Sequence, residues 1–260
     1  LGINFLQLHT KKEILEYNLD YRSRIDFEGI QKAESFLKQQ YSDLNIANLI
    51  PTEPTSTGLH DSPRNYEYGL RKYEDCFNPR QLLALVTYLE IINQAKTLIH
   101  ADYDWEQAEA IITYLSLILS NCVDKNCRLV HLNASKCAVE SALAQHSLNL
   151  FWNYPETNFI AKLWQYQSKS LSSDYSGICN LLSNNYFNAS IPQLEQRAPK
   201  LIQINSNSAD NLAHISDNCI DVVVTDPPYY SVLQYAEMSD FFYVWLKRIL
   251  GDILPELFYL

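Results

Sequence analysis

The sequence is poor in methionine and glycine and carries more acid than base. Its one methionine is Met238, and it begins at Leu1. The expectation is that an initiator has been processed away or that this is an internal piece of a longer chain. The six glycines, Gly2, Gly29, Gly58, Gly69, Gly177 and Gly251, lie too far apart for any two to make a glycine-rich cofactor turn. Lys and Arg number 20 against 30 Asp and Glu, a formal charge of −10 with a pI of about 5.0. That balance argues against a phosphate-binding surface running over the whole chain, but not against a local basic groove. The cysteines Cys76, Cys122, Cys127, Cys137, Cys179 and Cys219 contain no C-x-x-C pair, which removes the zinc-ribbon spacing. They read as reduced, buried or incidental thiols, and no metal site is expected. There is no signal peptide and no apolar run judged long enough to span a bilayer, so a cytoplasmic setting without membrane is expected. Asn188-Ala189-Ser190 matches a glycosylation acceptor but lacks the secretion signal that would give it meaning.

What is present begins with a core. Apolar residues make up 47% of 260, enough for one large domain or two small ones. Glu28 to Tyr41 reads as a helix with Ile30, Phe36 and Leu37 as apolar contacts. Pro51 to Gly58 is a loop by composition: a linker, an insertion tip or a disordered strap. Asn78-Pro79-Arg80-Gln81 is a helix start, with a capping Asn, a proline at the first helical position and a Gln able to reach back. Leu82, Leu83, Val86 and Leu89 follow on one face, and the helix should reach about Gln94. Asp104 caps another, with Ala108, Ile111, Ile112, Leu115 and Leu119 at helical spacing, ending near Asn121. Ser135 to Ala144 reads as a third helix, and Trp152 to Asn158 as a polar turn.

Residues 180–197 are rich in Asn, Ser and Pro and read as a connector, after which the pattern changes. Leu201, Ile202 and Ile204 suggest a short strand, followed by a turn over Asn205–Ser208. Ile220 to Val224 is a continuous β-branched run expected to be a strand buried on both faces. Asp226-Pro227-Pro228 ends it, and Ser239 and Asp240 would cap a helix carrying Phe241, Val244, Trp245, Leu246 and Ile249. The expected fold is therefore α/β. A mainly helical region, 1–180, precedes a partial sheet core, 181–260, which has too few strands to stand alone.

In open α/β sheets ligands bind beyond the carboxyl ends of strands, and Asp226-Pro227-Pro228-Tyr229 stands there. An exocyclic amine on adenine or cytosine is a poor nucleophile because its lone pair is delocalised into the ring. Two acceptors, each taking one N–H, would draw that nitrogen towards tetrahedral geometry. Asp226 offers a carboxylate oxygen. Pro227 offers a carbonyl held by a ring that fixes φ, and Pro228 adds no N–H that could satisfy it. Tyr229 offers a flat face for an extruded base, at about 1–3 kcal/mol per stacked base. The bland reading of the same residues is a proline-rich turn closing a strand.

With these residues in view, the chain resembles the amino-methyltransferases of the Asp/Asn/Ser-Pro-Pro-Tyr class. More narrowly, it resembles a group of large bacterial and archaeal adenine-specific DNA methylases, some with a zinc ribbon. The likeness is carried by residues 223–230 around the tetrapeptide, by 235–248, by Phe77-Asn78-Pro79-Arg80-Gln81-Leu82-Leu83, and by Trp152-Asn153-Tyr154-Pro155-Glu156-Thr157-Asn158. It implies a Rossmann-like methyltransferase core, S-adenosylmethionine as methyl donor and DNA as partner. Asp226 and Pro227 would bind the target amine, and Tyr229 would stack on the base. Ser208-Ala209 falls where the group places a step contacting the cofactor's adenine, with serine in place of its aspartate. The group's glycine turn would precede Leu1, and 34 residues follow Asp226, so the chain is expected to be a fragment that binds the cofactor poorly.

Other residues have plainer readings. Arg80, Lys247 and Arg248 can touch phosphate or be solvated helix charges. His131, His146 and His214 have no partner pattern. Glu156 and Asn158 either line the mouth of the active site or brace the helical region. The 18 tyrosines are scattered and make no stacking strip. The tetrapeptide does not choose between adenine N6, cytosine N4, RNA and a protein amide. The competing class is an inactive remnant or helical interaction module lacking a cofactor site. Oligomeric state is not set by the sequence.

Overall fold

A computed structural model describes residues 19–40, 47–55, 66–158, 162–182, 210–229, 233 and 235–258. The chain divides into two compact units, one of residues 1–171 with 234–260 and the other of residues 172–233. Its helices are α1 (Leu19–Gln40), α2 (Pro79–Asp102), α3 (Trp105–Lys125), α4 (Trp164–Leu182) and α5 (Tyr235–Leu250). Strands β1 (Leu132–Asn133) and β2 (Ala138–Val139) pair antiparallel, Leu132 opposite Val139. Among the described residues the protein is mostly helical, and this two-stranded sheet is its only sheet.

The start of α2 forms as its residues dictate. Asn78 Oδ1 accepts from Gln81 N at 2.9 Å, Gln81 Oε1 accepts from Asn78 N at 3.0 Å, and Pro79 opens the helix. Helix α2 runs to Asp102 rather than Gln94, because Ala95–Ile99 contains no breaker and Ile99 O still accepts from Tyr103 N at 3.0 Å. Asp104 caps α3, its Oδ1 accepting from Gln107 N at 2.8 Å. Ala108, Ile112 and Leu119 are buried, Ile111 and Leu115 partly so. Helix α2 packs against α1, α3 and α5, and α5 packs against α3. By length and composition α2 could cross a membrane, which corrects the reading that no run is long enough. Here it sits in a helical cluster, with Asn93 Nδ2 donating to Arg248 O at 3.1 Å and Lys96 paired to Asp252 at 2.7 Å.

Three more expectations change. Helix α1 buries Ala33 and Leu37, one turn apart, and leaves Phe36 exposed on its side. Residues 135–144 are not a helix but the tip and return of the β1–β2 hairpin. Asn133 Oδ1 accepts from Ser135 N and Lys136 N, both at 3.1 Å, and from Ser135 Oγ at 2.6 Å, and Cys137 adopts φ 47°. That local bonding supplants the helical ladder. Helix α5 begins at Tyr235, so Ser239 and Asp240 lie inside it rather than at its cap. Tyr235–Met238 contains no helix breaker, and Glu237 suits a first turn. Phe241, Val244, Trp245 and Ile249 form the core stripe as read, with Leu246 half-buried.

Candidate functional site

The proposed catalytic loop lies in the smaller unit. Its approach is a series of turns, in which Asn211 Oδ1 accepts from Ala213 N at 3.1 Å and Ile215 N donates to Leu212 O at 2.9 Å. Asn218 then takes φ 59°, and from Cys219 to Tyr229 the backbone is in neither helix nor strand. The expected strand is not there. Val222, Val223 and Val224 are 74%, 76% and 90% exposed. β-Branched residues favour extended backbone, but burial on two faces needs a neighbour on each edge, and none pairs with this run among the described residues. Asp226, Pro227, Pro228 and Tyr229 are all exposed, Tyr229 at 59%. Ser208 and Ala209, the strand expected at 201–204, and most of the connector lie outside the described residues.

In the larger unit, by contrast, three segments singled out in the sequence converge. Asn78 Nδ2 donates to Glu156 Oε1 at 2.5 Å and to Tyr154 Oη at 3.1 Å, while Arg80 Nη2 donates to the same Glu156 oxygen at 2.8 Å. Thr157 Oγ1 donates to Asn126 Oδ1 at 3.1 Å. Phe77 stacks on Phe241 at 5.9 Å and meets Trp245 edge-on at 5.3 Å. Residues 77–83, 152–158 and 235–248 thus share one neighbourhood. Glu156 braces helix α2 rather than standing free, and Arg80 is its ion partner rather than a solvated charge. Asn158 is exposed, and its carbonyl accepts from Lys162 N and Leu163 N, both at 3.1 Å.

Sequence reasoning missed the role of Arg248. Its guanidinium meets both oxygens of Glu53 at 2.9 Å and donates to Asn48 O at 3.0 Å, to Ile50 O at 2.7 Å and to Val244 O. Lys247 Nζ lies 3.0 Å from Glu53. Burial alone would raise the Glu53 carboxyl, but hydrogen bonds from Arg248 and Lys247 outweigh it and hold the group below its ordinary range. Residues 51–55, read only as loop, lie along 70–74 through Glu74 N→Pro51 O at 2.8 Å, Tyr73 N→Glu53 O at 3.1 Å and Thr55 N→Arg71 O at 2.9 Å. A helix-borne arginine gives no sequence signal of such a partner.

Among the described residues, the remaining titratable groups make no second chemical centre. Cys76, Cys122 and Cys127 are buried thiols pushed up by burial, while Cys137, Cys179 and Cys219 are exposed. His131 packs its ring on Phe151 at 5.0 Å. Among the described residues no group of three or more His, Cys, Asp or Glu is placed to hold a metal. A solvent-open hollow of about 430 Å³ runs along α1 beside Glu28, Lys32 and Phe36 and includes none of the tetrapeptide. No family model matches the chain, and neither a curated protein nor a solved structure matches it.

Proposed function

We propose that this chain carries the substrate loop of an S-adenosylmethionine-dependent amino-methyltransferase acting on a nucleic-acid base, most specifically adenine N6 in DNA. The carrying observation is Asp226-Pro227-Pro228-Tyr229 itself, open to solvent after a β-branched run. A carboxylate, a neighbouring carbonyl on a φ-fixed residue and an adjacent aromatic face are the three contacts a planar amine needs. Asp226 and Pro227 each accept one N–H, which localises the nitrogen lone pair, and Tyr229 holds the ring plane. In this reading the run 220–224 is a central strand of a Rossmann-like core, and it requires neighbouring strands on both edges.

S-Adenosylmethionine would supply the methyl group. The described glycines form no cradle for it: Gly29 and Gly177 lie within helices, Gly251 just follows one, and Gly69 turns in open space. That observation favours the second reading, a helical interaction module without a cofactor site in these residues. Calorimetric titration with S-adenosylmethionine tests the fragment reading at the level of the chain: weak or no heat is expected, and tight binding would sink it.

The decisive assay follows methyl-labelled cofactor into DNA, RNA and protein, using a polypeptide that contains this chain. Label at adenine N6 in DNA is expected. Asp226→Ala should remove it by on the order of 10²-fold or more, the scale of one lost transition-state contact, with folding intact. Equal transfer by the variant removes Asp226 from the mechanism.

A further inference from the structure

We draw no further inference here: the strongest candidate, the exposed edge-to-face pair of Tyr68 and Trp152 on the surface of the larger unit, carries nothing, because nothing among the described residues shows what covers the two rings.

Discussion

Arg248 on α5 grips Glu53 on the 47–55 strap through two contacts of 2.9 Å, across 195 residues of sequence. Its side chain is 10% exposed, and it also satisfies the carbonyls of Asn48 and Ile50. Loss of the guanidinium would strip the Asn48 and Ile50 carbonyls of this donor and leave Lys247 to hold the Glu53 carboxylate. Arg248→Ala should therefore cost about 2–4 kcal/mol, lowering the thermal midpoint by on the order of 10 °C. Arg248→Lys should recover only part, because an ammonium cannot match both oxygens of the carboxylate in parallel. Differential scanning calorimetry of both variants checks this, and a midpoint unmoved by Arg248→Ala would contradict it.

The same carboxylate sets an acid limit. Glu53 has a depressed folded pKa, so its contribution to stability is complete above the unfolded value near 4.5 and is lost as pH falls from there through the depressed value. Glu53→Gln should be less stable than the parent at neutral pH. The gap between the two should narrow as pH drops below about 4.5. Urea midpoints measured between neutral and acid pH give the comparison, and parallel curves would refute it.

Asn78 discriminates between capping and bracing. Aspartate is in general as good a helix cap as asparagine. At this position, however, the group it would replace donates to Glu156 at 2.5 Å, and a second carboxylate there repels the first. Asn78→Asp is expected to be less stable than Asn78→Ser by about 1–3 kcal/mol. Adding Glu156→Gln should recover much of the loss. Chemical denaturation of the three variants is sufficient, and a stable Asn78→Asp would mean that Glu156 does not depend on this contact.

Thiol chemistry should divide the cysteines evenly. Burial pushes Cys76 and Cys122 up to about 12 and raises Cys127 as well, which leaves almost no thiolate in the folded protein. Cys137, Cys179 and Cys219 are exposed and should alkylate first. Intact-mass spectrometry after brief iodoacetamide treatment should show these three labelled in native buffer and all six in denaturant. Native labelling of Cys127 would place it outside the core.

The valine run carries an association risk. Val222, Val223 and Val224 stand open as a run of exposed β-branched residues, the kind of strand-prone apolar segment that pairs with other chains. Val222→Lys with Val224→Lys should reduce concentration-dependent light scattering while leaving the thermal midpoint within about 1 °C, since neither side chain is packed. A large loss of stability would show that these valines are buried in solution.

What was legible in the sequence followed from short-range chemistry. Asn78, Pro79 and Gln81 specify one helix start because their bonds close within four residues, and Asp104 does the same for α3. The stripe Phe241, Val244, Trp245 and Ile249 was readable because helical periodicity is itself local. Asn133 also acts locally, yet its three short-range bonds were outweighed in the reading by the helix-forming composition around Ala138–Ala144. The fates of Arg248, Glu156 and Trp152 depended on partners far along the chain. For the tetrapeptide, its order of residues was legible, whereas the surroundings of the run before it depend on which strands flank it.

The larger unit is discontinuous in sequence: the chain leaves it after Leu171 and returns at Gln234 to supply α5. The intervening stretch is thus an excursion whose two ends are rooted in the same body. A single protease cut inside it would yield two polypeptides still held by α5 lodged beside α2 and α3. The nicked molecule should migrate as one species until a denaturant separates the halves, which makes this excursion a natural place to split the protein for complementation.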